Sequence, residues 1–357
     1  MSNVDNNLLH ISSSPHIRSG RTVQKIMLDV IIALVPALAA ATVIFGINAL
    51  IITLLAIVTA VVTEHIISVF MMKKKTTVGD LIAVITVMLL AFNLPVAISP
   101  ALVVLGTVFA VGVAKMAFGG LGCNFINPAL AGRAFLMASY PAAMTGSIFA
   151  QNVSDGFVSM YLPGINIAAM PTIAAIDGIS EATPLAALKI LQDINIDVSF
   201  LQEAFIPLFW GNVGGTIGET SAFALLLGGL YLIIRRVINP FVPLVYIGGV
   251  FLLFGVFPSD GGNIFDLSAL TIPTFHILSG GIFLAAFFMI TDMTTTPITV
   301  KGQVIFAGGC ALITFLIRKF GGYPEGASYA ILLMNLLTPL IDRYVKPRVY
   351  GTGCKKI

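Results

Sequence analysis

The sequence predicts an all-α polytopic membrane protein of about ten transmembrane helices, arranged as two halves of five in an inverted repeat. Three observations predict it. Of 357 residues, 57% are hydrophobic and 10% charged, with a mean hydropathy of +1.00, and so little polar surface cannot coat a soluble globule of this size. Apolar stretches of roughly 20 residues, the length that crosses a hydrocarbon core of about 30 Å, recur along the whole chain. An offset of 202 residues superposes Pro95 on Pro297, Gly106 on Gly308, and Phe118-Gly119-Gly120 on Phe320-Gly321-Gly322.

The spans expected in order are 26–46, 48–71, 80–98, 101–118 and 125–140, then 218–234, 241–257, 276–291, 302–319 and 326–342. They divide the chain into an N-terminus (1–25), a first transmembrane half (26–140), a polar connection (141–217), a second half (218–342) and a C-terminus (343–357). The first span is longer than the apolar core of a signal peptide and carries Asp29, so it is expected to stay. Proline breaks follow the third and eighth spans, and spans three and four cross in the opposite sense to eight and nine. Inverted-topology repeats of this kind use broken helices to line binding sites.

Lys and Arg placement sets the orientation. With both ends cytoplasmic, the inner segments hold fourteen of the nineteen basic residues, among them Lys73, Lys74, Lys75, Arg235, Arg236 and Lys301. Against this orientation stand Arg318 and Lys319. The connection carries Asp155, Asp177, Glu181, Asp193 and Asp197 against Lys189 alone within 141–203, and is expected to face outward at a cell membrane. Cys123, Cys310 and Cys354 form no C-x-x-C pair and the four histidines are dispersed, so no metal-ligand spacing is present.

In the connection, Asp177, Ser180, Ala182 and Thr183 resemble the pattern D-x-x-[ST]-G-A-[ST], at which a flavin transferase esterifies FMN to a Thr or Ser hydroxyl. Glu181 stands where the pattern has glycine. A second reading makes Thr183 an N-cap and Pro184 the first helical residue of a short helix; a helix start also offers free N–H groups to a phosphate, so the two readings are compatible. The glycine-rich stretch 211–221 sits at the outer mouth of span six. Gly214, Gly215, Glu219, Thr220 and Ser221 are candidate contacts for a flavin ring, and close helix packing through Gly214 and Gly218 is the alternative.

Charges inside spans cost about 2.5 to 3.5 kcal/mol each even on lenient scales, and therefore have a reason to be there. They are Asp29, Glu64, Lys115, Arg133 and Asp292. Arg133 is expected either to contact a reduced flavin or to pair with an acid as a helix staple. Asp29, Glu64, Asp292 and Thr294 are candidates for an ion path; a helix cap at Asp292 and a helix-interface pair at Glu64-His65 are the plainer alternatives.

Over nearly its full length the chain resembles the D subunit of the Rnf complex. The resemblance is carried by Ser13-Ser-Pro-His16, Asn127-Pro-Ala-Leu-Ala-Gly-Arg133, Gly211-Asn-Val-Gly214-Gly-Thr-Ile-Gly-Glu219-Thr-Ser221 and Phe288-Met-Ile-Thr291-Asp292 with Pro297. It implies a component of an ion-translocating ferredoxin:NAD+ oxidoreductase, carrying covalent FMN on Thr183 and passing electrons between redox partners while Na+ or H+ crosses. A non-covalent riboflavin follows by analogy with the sodium-pumping NADH:quinone oxidoreductase, whose B subunit is the near alternative; that B subunit has a longer N-terminal extension. Implied partners are the A, B, C, E and G subunits, the maturing flavin transferase and the lipid bilayer. No nucleic acid is expected, and without a G-x-G-x-x-G fingerprint NADH chemistry is expected to reside in another subunit. The rival classes are a solute channel or transporter, which needs no flavin, and a membrane scaffold with a bare Thr183.

Overall fold

The computed structural model describes residues 22–73, 77–120, 122–145, 184, 185, 188, 202, 204–211, 213–219, 221–257, 270–321 and 325–347, and among them there are helices and turns but no strand. The first half contains α1 (Val23–Phe45), α2 (Ile47–Ile66, prolonged by a π-helical turn Ile67–Met71), α3 (Ile82–Phe92), α4 (Pro100–Val108, prolonged by a π-helical stretch Phe109–Met116) and α5 (Pro128–Ser139). Short helices α6 (Pro141–Thr145) and α7 (Phe205–Trp210) lie in the connection. The second half contains α8 (Ala222–Ile234), α9 (Phe241–Val256), α10 (Thr271–Leu278), α11 (Ile282–Leu284, prolonged by a π-helical turn Ala285–Met289), α12 (Val300–Phe320) and α13 (Ala327–Tyr344).

Helix falls in every expected span, but three spans differ from expectation. The third and fifth are half-length: α3 has 11 residues and α5 has 12, a rise of about 17 Å against a core of about 30 Å. Helix α3 stops at Asn93, whose side chain donates to the Leu89 carbonyl (2.6 Å), and Pro95 has no N–H with which to continue. Helix α5 starts late because Asn127 accepts from the Ala129 and Leu130 N–H groups, capping a helix whose first residue is Pro128. The eighth span is two helices, α10 and α11, bent by 65°. Between them Gly280 adopts φ 72°, a conformation glycine reaches without strain. Among the described residues, α1, the Ile47–Met71 stretch and α12 are each long and apolar enough to cross a bilayer.

The halves are packed alike. Helix α2 packs on α3 and α4; α9 packs on α10 and α12; α4 meets α5 as α12 meets α13. The halves join where α1 lies along α8 and where α5 meets α13. The 202-residue offset reappears in hydrogen bonds: Arg133 of α5 donates to Asn93, just past α3, while Asn335 of α13, its amide turned to satisfy its neighbours, donates to the Thr295 carbonyl just past α11. In each half the last helix bonds to the segment that follows the third one.

Side-chain sorting is that of a membrane protein. Alanines 33, 37 and 41 of α1 are buried against the bundle, whereas Val35, Val43, Ile51, Leu54 and Val58 are exposed, so large apolar groups point away from the core toward lipid. The α1–α8 contact is close enough to exclude a side chain. A Cβ at Gly228 would lie 2.0 Å from the Ala33 carbonyl oxygen, and one at Gly229 would meet the Phe287 ring at 2.4 Å. Gly228→Leu is therefore expected to push the halves apart and cost about 3 kcal/mol. The expected outcome is a lower thermal midpoint in fluorescence-detected size exclusion, with Gly248→Leu, where a Cβ meets open space, behaving as wild type.

Candidate functional site

Four places in the chain converge on Arg133 of α5: the end of α3, the segment before α8, the loop before α13 and the first turn of α13. The guanidinium is buried. Its Nη1 donates to Asn93 Oδ1 (2.5 Å), Ser328 Oγ (2.8 Å) and Glu219 Oε1 (3.1 Å), and its Nη2 donates to Glu325. Arg133 and Asn93 belong to the first half, while Ser328, Glu219 and Glu325 belong to the second. A buried ion pair is stabilising only when its remaining polar atoms are also bonded, and here most of the guanidinium is.

Glu219 is held by backbone. Gly218 N–H donates to the Phe92 carbonyl (2.8 Å) and Ile217 N–H to Leu94 (3.1 Å), so the segment before α8 adds onto the frayed end of α3. A Cβ at Gly218, which lies in a turn rather than a helix, would fall 2.2 Å from Phe92, so this glycine serves close packing. Glu219 Oε1 lies against Gly281 at the start of α11, and Arg318 of α12 donates to the His276 and Ser279 carbonyls at the end of α10. The anion thus meets the positive end of one short helix and the cation the negative end of the other. Burial acts to raise the pKa of Glu325, but the charge of Arg133, hydrogen bonds from Glu219 and Arg133, and the charge of Arg318 outweigh it and hold this loop carboxyl below the usual range.

Beside this cluster is a cavity of about 20 Å³, lined by Pro184, Gly214, Gly215, Glu219, Gly280 and Glu325. It holds about one water. The structure therefore brings three predicted residues, Gly214, Gly215 and Glu219, to the residue that follows Thr183, and a fourth, Arg133, is bound to Glu219. Thr183 and Thr220 lie outside the described residues. Pro184, Leu185 and Leu188 are helical and buried, which agrees with Pro184 as an early helical residue. Ser221 accepts from the Ala224 N–H and caps α8.

The four ion-path candidates are not brought together. Asp29 accepts from Tyr231 (3.0 Å) and Arg235 (3.1 Å), joining α1 to α8. Glu64 pairs with Lys115 at 2.9 Å, both buried, and also accepts from Thr77 at 2.6 Å. Asp292 accepts from the hydroxyls of Thr294 and Thr295, closing the turn after α11. Asp292 and Thr294 border a second cavity, of about 260 Å³, with Phe287, Phe288, Asn124 and Asn127. It lies at the opposite end of the bundle from Arg133, beside Ile82 at the start of α3 and Leu232 at the end of α8. Among the described residues no His, Cys, Asp and Glu group has the arrangement to hold a metal.

Residues 10–351 match the NQR2, RnfD, RnfE family. The chain belongs to this family. It is 44% identical, over 98% of its length and 97% of the relative's, to the D subunit of the Na(+)-translocating ferredoxin:NAD(+) oxidoreductase complex of Acetobacterium woodii. It is 41% identical, with 98% of each chain covered, to the D subunit of the proton-translocating ferredoxin:NAD(+) oxidoreductase complex of Clostridium ljungdahlii. To the D subunit of the ion-translocating oxidoreductase complex of Escherichia coli (strain SE11) it is 37% identical, covering 96% and 99%. The names of the first two relatives carry different ions at similar identity, so membership in the family does not choose between Na+ and H+.

Glu325, Asn93, Ser328, Arg318 and Gly280 do not stand out in the sequence as site residues. Glu325 lies 192 residues from Arg133 along the chain and sits in a loop, where a carboxylate looks like ordinary surface. Its only signal in the sequence is the run Gly321-Gly-Tyr-Pro-Glu325-Gly, turn-forming residue types around a single charge. Removing Arg133 leaves two carboxylates buried without their counter-charge, so Arg133→Met is expected to destabilise by about 3 to 5 kcal/mol. Combining it with Glu325→Gln should recover part of the loss, measured as the thermal midpoint of the purified chain.

Proposed function

We propose that this chain is the flavin-bearing membrane component of an ion-translocating ferredoxin:NAD+ oxidoreductase of the Rnf type, carrying FMN esterified to Thr183 and passing electrons between redox subunits as Na+ or H+ moves outward. The observation that carries the reading is the meeting of Pro184, next to the attachment residue, with Gly214, Gly215, Glu219 and the Arg133 cluster. The residues fit such a group. Glycine backbone admits a flat ring, Glu219 Oε2 is buried and meets no donor among the described residues, and position 183 precedes helical backbone whose N–H groups suit a phosphate. A cavity of about 20 Å³ does not enclose an isoalloxazine, so the ring would rest at its mouth, over Glu219 and Glu325.

When bound, FMN supplies the electron-carrying chemistry, and the protein supplies position, electrostatics and insulation. Arg133, its charge fixed by two carboxylates, holds the floor of the site rigid, and Gly280 keeps the α10–α11 break against it. The cavity at the opposite end supports the non-covalent riboflavin: Phe287 and Phe288 offer an apolar wall to a ring, and Asn124, Asn127 and Asp292 offer polar partners to its edge. Both ends cytoplasmic, with Thr183 outward, is the orientation that the basic residues support. Asp292 and Thr294 border this inner cavity and remain the ion-path residues with space beside them; Asp29 and Glu64 are proposed to act there only by yielding their present partners. The A, B, C, E and G subunits and the flavin transferase complete the proposed assembly.

Mass spectrometry of the peptide spanning 141–203, from cells making the active complex, is expected to show FMN on Thr183. Denaturing gels should give a fluorescent band that Thr183→Val abolishes, and acid precipitation should release one further, unattached riboflavin. An unmodified native peptide would instead point to the transporter or scaffold reading.

A further inference from the structure

We propose that the pocket between the α8–α9 turn and the α11–α12 segment holds the headgroup of an anionic phospholipid, whose acyl chains run along the exposed sides of α9 and α12. The proposal stands apart from the flavin reading, because it uses other residues at the opposite end of the bundle from Arg133.

The pocket measures about 280 Å³, with Asn239 and Val242 on one side and Thr296, Ile298 and Gln303 on the other. This is far more room than one water needs. Asn239 spends its side-chain oxygen on the Phe241 N–H (3.2 Å), so its NH2 is the part left to bind, and half-buried Gln303 brings a second amide. The hydroxyls of Thr291 and Thr296 already donate to the carbonyls of Phe287 and Asp292. The donors on offer are therefore amide N–H groups, which suit an anionic oxygen.

The charge around the pocket has the same sign. Exposed Arg236 directly precedes lining residue Val237, and exposed Lys301 lies in the first turn of α12 between Ile298 and Gln303. The end of α13 is tied to this place, since Ile298 N–H donates to Asp342 (3.1 Å) and Thr299 to the Val345 carbonyl (3.3 Å), and it adds exposed Arg343 and Lys346. Two acids stand against these four cations: Asp342, which holds the Ile298 N–H, and Asp292, which holds the hydroxyls of Thr294 and Thr295. Arg235 is already paired with Asp29.

An apolar surface adjoins the polar one. Ile298, which lines the pocket, is 80% exposed, and Val300 and Ile305 of α12 and Phe241 and Leu244 of α9 are exposed as well. Apolar faces that give way to Arg236 and Lys301 mark headgroup depth in a bilayer. A small anion would use only the donors and cations; a phospholipid uses the apolar rows too, and its phosphate meets the basic rim. The pocket shares Val237, Ile238, Thr291 and Met293 with the cavity of about 260 Å³, so a seated headgroup borders that cavity.

The test is photo-crosslinking in the purified complex, with Ile298 replaced by a photoreactive phenylalanine and the complex placed in nanodiscs of equal parts phosphatidylglycerol and phosphatidylcholine. Mass spectrometry of the labelled peptide should show the phosphatidylglycerol adduct in excess by about fivefold or more, the contribution of at least one cation beside an anionic lipid. Lys301→Gln and Gln303→Leu should each lower that ratio, and Lys25→Gln, on α1, should leave it unchanged. Equal adducts in the otherwise wild-type complex, a ratio unchanged by both pocket variants, or a protein adduct in place of lipid overturns the proposal. A preference abolished by millimolar inorganic phosphate gives the pocket to a free anion and overturns it as well.

Discussion

One guanidinium joins the two halves of this protein. Arg133 takes Asn93 from its own half and Glu219, Glu325 and Ser328 from the other, in an environment where little water reaches these groups. The short helices follow from that arrangement. Helix α3 ends early and leaves Asn93 free to accept; the segment before α8 then borrows the released carbonyls of Phe92 and Leu94, delivering Glu219 to the same point. Irregular backbone at membrane depth is tolerated where protein covers it, and here the covering residues are also the ones that carry charge.

The bundle treats its other buried charges in the same way. Asp29 is joined to Arg235 and Tyr231, Glu64 to Lys115 and Thr77, and Arg318 to two carbonyls of the α10–α11 break. The ion pairs Asp29–Arg235 and Glu64–Lys115 join elements distant in sequence, so the polar groups fix which apolar helices meet, a specificity that lipid-like side chains alone do not supply. Glycines set how closely they meet. At Gly228 and Gly218 the facing atoms leave no room for a methyl group.

Much of this is legible in the sequence. Hydropathy marks where helix occurs, because burial in lipid is a property of local composition. The offset between halves foretells that Asn93 and Thr295 occupy like positions, each bonded by the last helix of its half. Arg133, Glu219, Gly214 and Gly215 stand out separately along the chain and prove to be neighbours. What is not legible depends on long-range pairing. Glu64 and Lys115 each read as an intramembrane charge with no sign that they match, Arg235 reads as a marker of orientation when it also binds Asp29, and Glu325 reads as a loop residue. Helix lengths fail for a related reason: hydropathy runs on through Leu94-Pro95-Val96-Ala97, while the backbone turns.

The half-length of α3 has an electrical consequence. With Ile82 at one face of a hydrocarbon core about 30 Å thick, a rise of about 17 Å would bring Asn93, and with it the Arg133 cluster, to roughly its middle. A charge that arrives there from either solution has crossed only part of the transmembrane voltage, worth about 1 kcal/mol per 100 mV at half depth. The charge state of this cluster would then answer to the membrane voltage as well as to its immediate partners, so that polarising the bilayer biases which of its groups are ionised.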